Sequence, residues 1–259
     1  MMISIYVCIK HVPETSAQVT IIGPKRIDES VEFITNPYDE YAIEEALTFK
    51  EESNASEVVA VTVGNNTAQK SLRHALAMGC DRGILVKTEE RFIDAIYVAH
   101  ALHKAISMDG QPRIIFCGKQ SIDQEGMQTP FRLAALFGLP IGSCAIGLKK
   151  HDKSVSIERE SEEATVETLS IMLPCIITTS KGLNNPRYPK LPDIMKAKRK
   201  EIKIHEIANL GIDTDGAIMN LVQLKHSNTK RPVKLLKGMT PAEMADQLVY
   251  QLLHEDKIV

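Results

Sequence analysis

Short apolar runs recur between segments of helical periodicity over the first ~180 residues, and this alternation constrains the fold more than any other feature of the chain. Ile3 to Ile9 reads as a buried strand, Glu57 to Val63, Arg82 to Val86 and Ile114 to Cys117 as further strands, and Ile171 to Thr179 closes the compact part. Such strands belong to a mostly parallel sheet covered on both sides. The intervening helices are expected from Asn36-Pro37 through Phe49, over Leu72 to Met78, over Phe92 to Ile106 and over Thr129 to Phe137. Asn36 suits a cap and Pro37 a first turn, while Asp39 and Glu40 favour the positive end of the helix dipole. Gly79 and Gly138 suit the stops, and Asn66 or Thr67 is expected to cap the second helix. Val19–Ile22 and Val31–Ile34, divided by Gly23-Pro24, are expected to form a hairpin-like excursion, Ser143 to Leu148 one extended stretch, and Ser154 to Ile171 a hairpin about an acidic turn.

Beyond Ser180 the texture changes. An irregular loop through Asn184-Asn185-Pro186-Arg187-Tyr188-Pro189 and Leu191-Pro192 leads into Ile194 to Lys200, where Lys196, Lys198, Arg199 and Lys200 concentrate positive charge beside Leu191, Ile194 and Met195. That combination suits docking to an acidic protein surface, a solvated face or an anionic polymer, and no interleaved aromatic residue supports the last. A strand-like Ile202 to Ile207 follows. Thr240, Pro241 and Glu243 then form a capping-box pattern opening a helix that displays Met244, Leu248, Leu252 and Leu253. Its apolar face needs a partner, in this chain or another.

Function classes narrow by exclusion. Lys plus Arg total 31 against 33 Asp plus Glu, a formal charge of −2, which argues against a protein that coats nucleic acid. The five cysteines are scattered, without a C-x-x-C pair, and the first strand follows Met1 and Met2 directly, so a reduced, cytoplasmic setting without a membrane span is expected. Fingerprints for dinucleotides, phosphate loops, zinc proteases and serine hydrolases are missing. What remains is Gly118-Lys119-Gln120-Ser121-Ile122-Asp123-Gln124-Glu125-Gly126-Met127-Gln128-Thr129, a turn between a strand and a helix whose amides and hydroxyls can face a phosphate, or which is an ordinary surface loop. Asn36, Asp39 and the Gly64 to Thr67 turn would meet it at one carboxyl edge if the sheet is parallel. Asp123 and Glu125 have no recognisable base or metal partner, and His100 and His103 have no third ligand, so neither a catalytic residue nor a metal site is expected. His11 follows the first strand, where it would either approach a ligand or pack in a loop.

Four stretches in this order resemble the beta subunit of the electron transfer flavoprotein family: Val7-Cys8-Ile9-Lys10 with Asn36-Pro37-Tyr38-Asp39; Ala75 through Gly83; Gly118 through Thr129; and Pro186-Arg187-Tyr188 followed by Leu191 through Lys200. Ile157 to Glu160 and Glu167-Thr168-Leu169 add to the match. The resemblance implies a Rossmann-like domain over residues 1–205, including a recognition loop at 184–200, and a C-terminal arm over 206–259 that packs on the partner subunit. It implies an electron carrier and not an enzyme: a heterodimer whose alpha subunit binds FAD, moving electrons from acyl-CoA or related dehydrogenases to a quinone reductase or another acceptor. A structural AMP would contact Cys8, Asn36, Pro37, Tyr38, Asp39, Val63 and Gly118 to Thr129. Leu191 would plug a dehydrogenase pocket, with Ile194, Met195, Lys196, Lys198, Arg199 and Lys200 beside it.

Two stretches depart from the family pattern. Glu162-Glu163-Ala164-Thr165-Val166 replaces a glycine-containing turn, and Gln124-Glu125-Gly126-Met127 differs from both common nucleotide segments. Bifurcating relatives use NADH and hold a second FAD where others hold AMP. Gln128-Thr129 is closer to the AMP type, so AMP is expected, with a second FAD as the alternative. A stand-alone nucleotide-hydrolysing α/β protein is the rival of a different class.

Overall fold

The computed structural model describes residues 4–53, 57–161, 165–212, 219, 221–226, 233, 235–236 and 240–255. The chain divides into two compact units, Met1–Leu224 and Lys225–Val259. In the first unit the elements run in order β1 (Ser4–Cys8), β2 (His11–Pro13), β3 (Ile21–Gly23), β4 (Arg26–Ile27), β5 (Phe33–Thr35), α1 (Pro37–Ser53), β6 (Glu57–Gly64), α2 (Gln69–Met78) and β7 (Arg82–Lys87). They continue through α3 (Ala95–Asp109), β8 (Pro112–Gly118), α4 (Gln128–Phe137), β9 (Ile141–Ala145), β10 (Gly147–Lys150), β11 (Ser154–Glu160), β12 (Val166–Met172), β13 (Cys175–Thr179), α5 (Leu191–Ala197) and β14 (Ile202–Glu206).

Seven strands form one sheet in the order β14-β7-β6-β1-β8-β13-β9, and all its pairings are parallel. Successive side chains of a strand point to opposite faces, so each central strand feeds two cores. Ile5, Val7 and Ile9 pack toward α1 and α2, whereas Tyr6 and Cys8 pack toward α3 and α4. This double burial is the physical reason for the unbroken apolar runs. The strand order reverses at β1: β6 and β7 extend the sheet on one side of it and β8 on the other. Connections leaving β1 and β8 therefore diverge above their carboxyl ends, which opens a crevice there.

Several expectations need correction. Val31–Ile34 does not pair with Val19–Ile22. Phe33–Thr35 returns to pair antiparallel with His11–Pro13, and Ile21–Gly23 makes its own small ribbon with Arg26–Ile27. His11–Pro13, directly after the first strand, is thus itself a short strand. Ser143 to Leu148 is not one extended element. It is split between the parallel sheet and the antiparallel sheet β10-β11-β12, whose buried Val155, Ile157 and Ile171 cover the α1 side of the core. The second helix is preceded by a 3-10 turn capped by Asn65, whose side chain accepts from the Thr67 N–H, and not by Asn66 or Thr67. The Glu162, Glu163 and Ala164 part of the acidic turn lies outside the described residues.

The second unit contains α6 (Pro241–Tyr250), opened by the expected capping box: the Thr240 hydroxyl accepts from the Glu243 N–H while the Glu243 carboxylate accepts from the Thr240 N–H at 2.8 Å. Among the described residues, no helix is long and apolar enough to cross a membrane.

Candidate functional site

The crevice at the strand reversal is a cavity of about 430 Å³. Its floor is the end of β1 and β8, and its polar wall is the turn from Gly118 to α4. Asp39, in the first turn of α1, organises that wall. Its buried carboxylate accepts from the Lys10 N–H at 2.7 Å and from the Gly118 N–H at 3.0 Å, tying α1 to both strand ends. Burial pushes its pKa up to about 7, against the opposing effect of the hydrogen bonds from Lys10, Asn36 and Gly118. A Cβ at position 118 would collide with Asp39 Oδ1 and stand 2.8 Å from the Tyr38 carbonyl carbon, so this close approach requires glycine.

Asn36 pins the far side of the turn, donating through Nδ2 to the Gln120 carbonyl at 2.9 Å and accepting from the Ile122 N–H at 3.1 Å. Lys10 Nζ then clips the loop from above, 2.7 Å from Asp123 Oδ1, 3.0 Å from Gln124 Oε1 and 3.3 Å from Ser121 Oγ. Glu125 and Met127 take left-handed backbone conformations, and α4 starts without a side-chain cap at Met127. The first amides of α4 consequently face the crevice end as the positive pole of a helix, a setting that favours anionic oxygens.

The opposite wall is apolar. Val63, Ala68, Ile93, Ala95, Val98 and Leu102 line it, with Arg91 and His11 at its margin. Arg91 lies 4.0 Å from the Phe33 ring centre and 3.6 Å from Glu29, and the His11 ring is 5.2 Å from the same phenyl group. Ser71 meets His11 Nδ1 at 2.8 Å, whereas Nε2 is buried and has no partner among the described residues. Burial first, then the charges of Arg91 and Lys70, lower the imidazole pKa to about 4, so the ring is neutral near pH 7 and offers one unmatched polar atom beside the cavity.

Of the residues expected at a nucleotide, Cys8, Asn36, Asp39, Val63, Gly118 to Ser121, Asp123, Gln124 and Gly126 to Thr129 line this cavity. Pro37, Tyr38, Ile122 and Glu125 do not: Tyr38 lies beneath the turn, with Lys119 Nζ 5.0 Å from its ring centre and its carbonyl accepting from Thr179 Oγ1 at 3.0 Å. Sequence reasoning missed Arg91, Ile93, Ala95, Val98 and Leu102. They belong to the β7–α3 connection and the start of α3, whose place at a carboxyl edge follows from a parallel sheet and was the available signal.

The segment 184–200 stands apart. Arg187 is held by Glu44 at 2.9 Å and Glu51 at 3.0 Å, and Asn184 donates to Glu45 at 2.9 Å, which accounts for the two buried glutamates of α1. Beyond these anchors Tyr188 is 91% and Leu191 73% exposed, and Ile194, Met195, Lys196, Lys198 and Arg199 also face solvent. Leu191 starts the short helix α5 and is not part of an irregular loop. Lys200 differs from its neighbours. Its amine donates to the Cys80 carbonyl at 2.6 Å and the Leu76 carbonyl at 3.0 Å, closing the end of α2. Leu210, at the start of the expected arm, is buried in the α3-side core.

The electron transfer flavoprotein domain model matches residues 25–210. The electron transfer flavoprotein subunit beta of Bacillus subtilis is 36% identical over 260 residues, covering 99% of this chain and 100% of the relative. The mitochondrial subunit beta of Arabidopsis thaliana is 36% identical over 98% of this chain and 99% of its own length. The electron transfer flavoprotein subunit beta of Dictyostelium discoideum is 38% identical over 83% of this chain and 86% of its own.

Proposed function

Because this chain belongs to the electron transfer flavoprotein beta subunit family, we propose that it is the non-catalytic half of a two-subunit electron carrier, holding AMP in the carboxyl-edge cavity. The observation that carries the AMP reading is the pairing of an apolar wall with a glycine-gated turn that runs into an uncapped helix. The residues present fit an adenylate. Val63, Ala68, Ile93 and Val98 offer a surface for a flat ring system; the amides of Gln128 and Thr129 offer donors for a phosphate; and the unpartnered His11 Nε2 offers one further polar contact.

Bound there, AMP would supply no redox chemistry and would serve to fill and rigidify the crevice. The chain's own residues do the remaining work. Asp39, Asn36 and Lys10 hold the turn in one geometry, and the apolar wall excludes water. The redox group is FAD held by an alpha subunit, with electrons arriving from an acyl-CoA or related dehydrogenase and leaving to a quinone reductase or another acceptor. Leu191 is the apolar anchor for the donor, flanked by Ile194 and Met195, while Lys196, Lys198 and Arg199 speed encounter with an acidic surface. Exposed Leu248 of α6 and Leu253 just beyond it support a part for the C-terminal arm in the contact with the alpha subunit.

Denaturing the co-purified heterodimer and identifying the released nucleotides tests this reading. One FAD and one AMP per heterodimer are expected. Two FAD would place this chain with the bifurcating type, and phosphate release from ATP by the isolated chain would point to a hydrolase.

A further inference from the structure

Cys8 and Cys117 are direct register partners on the adjacent parallel strands β1 and β8. Residues in register share a face of the pleat, and both side chains belong to the core on the α3 and α4 side. The Cys8 side chain, together with burial, pushes the Cys117 thiol well above its ordinary pKa. Both residues line the floor of the cavity, 9% and 5% exposed. Their position differs from that of the other cysteines: Cys80 and Cys175 are buried in the core on the opposite face of the sheet, and Cys144 lies outside the cavity lining. Among the described residues, no cluster of three metal-ligating side chains gives the pair a metal-holding role.

We propose that Cys8 and Cys117 form a dithiol modification site that hydrogen peroxide closes to a disulfide when the cavity is empty, and that a nucleotide in the cavity shields. The shielding rests on the nucleotide reading above, while the dithiol chemistry does not. Cys8 sulfur, as thiolate, attacks one peroxide oxygen; the O–O bond breaks, and the departing hydroxide takes up the proton lost by Cys8 and leaves as water. The resulting sulfenic acid is attacked by Cys117 sulfur, whose proton passes to the hydroxyl that leaves as a second water while the S–S bond forms. Two thiols thus give up two electrons and two protons, and the peroxide is reduced to two waters.

Cys117 suits the second step because it stands in register beside Cys8; its contact with Cys8 and its burial keep the thiol protonated, so that proton must leave as the S–S bond forms and this step is the slower one. Neighbouring strands lie about 4.8 Å apart, inside the Cα range of disulfides. Parallel side chains in register keep their Cβ atoms about equally far apart, beyond the usual disulfide span of roughly 3.5–4.5 Å. The bond is therefore strained and readily reversed by thiols, a modification and not a structural staple.

The test treats the full-length chain, together with its partner subunit, with hydrogen peroxide in the presence and absence of AMP, blocks the remaining thiols and maps the peptides by mass. A Cys8–Cys117 link that dithiothreitol removes, with Cys80 and Cys175 still alkylatable, is the expected result. With AMP at a hundred times its dissociation constant, the link forms about 100-fold more slowly, since only the empty fraction reacts. In Cys117→Ser the reaction stops at a Cys8 sulfenic acid trapped by dimedone. Cys8 left free, oxidised without linking to Cys117 in the native chain, or linked to Cys144 overturns the proposal. Equilibrium dialysis run alongside separates the two readings. AMP that binds without slowing the reaction removes the shielding, whereas a link that forms in a chain that binds no AMP overturns the nucleotide reading and leaves the dithiol standing.

Discussion

The proposed nucleotide cavity and the proposed docking segment are built in opposite ways. The carboxyl-edge cavity is fixed by buried hydrogen bonds that join residues far apart in sequence, with Asp39 reaching Gly118 and Asn36 reaching Ile122, and its geometry is set before anything binds. The segment 187–199 is anchored at Arg187 by Glu44 and Glu51 and otherwise leaves apolar side chains in water. A cavity that must hold a small ligand needs its supporting hydrogen bonds made and its distances set, with the donors left open reserved for the ligand. A docking surface that must release its partner quickly needs little more than one anchor and a field of charge, because limited burial keeps the residence time short. Stability should therefore be sensitive to substitution in the cavity and insensitive at the tip.

Asp39→Ala should show the largest effect. It leaves the Lys10 and Gly118 amides without their acceptor at a cost of about 2 to 4 kcal/mol, lowering the thermal midpoint by on the order of 10 °C and abolishing nucleotide retention. An unchanged midpoint by calorimetry would end the contrast between the two regions. His11 sharpens it through pH. Its folded pKa of about 4 lies below the ordinary 6.5, so between these values the unfolded chain binds a proton that the fold does not, and stability is lost as pH falls through that window, by at most about 3 kcal/mol. Asp39, raised to about 7, has the opposite sign, losing stability as pH rises from about 4 to 7. The His11 contribution is thus read as the difference between the native chain and His11→Gln in urea titrations across pH 4 to 6.5, and parallel curves would refute it.

Gly118→Ala should cost about 1 to 3 kcal/mol, because the added methyl meets Asp39 and the Tyr38 backbone and neither can withdraw. Chemical denaturation measures this, and a neutral result would mean that the turn is looser than its hydrogen bonds imply. Leu191→Ala should change stability by less than about 0.5 kcal/mol, since its side chain is already in water. Dehydrogenase-linked flavin reduction at limiting protein should nevertheless slow while AMP stays bound. An unchanged rate and partner affinity would remove Leu191 from the docking surface.

Local chemistry made much of this legible in advance. Asn36-Pro37 opens α1, Gly138 closes α4 in a left-handed conformation, and Thr240 with Glu243 forms a capping box, because each of these signals acts within a few residues. The doubly buried strands announced a parallel sheet, and a parallel sheet with a turn at Gly118 announced where the cavity would open. The pairing of Phe33–Thr35 with His11–Pro13 was not legible, since short strands carry little register information and their partners are chosen by what the rest of the chain leaves uncovered. Lys200 is the clearest case. In the sequence it is the last of a basic run, whereas in the fold its amine is held by two carbonyls at the end of α2.

The sequence by itself determined the layer architecture, the helix ends and the chemical character of both surfaces, because hydrophobic period and capping are local properties of the chain. Only the tertiary structure decided which strands are neighbours. It thereby brought Lys10 to Asp123, set Cys8 beside Cys117 and left His11 Nε2 without a partner at the cavity. These contacts depend on the reversal of strand order at β1, a choice made by packing the whole sheet at once and written in no single stretch of residues.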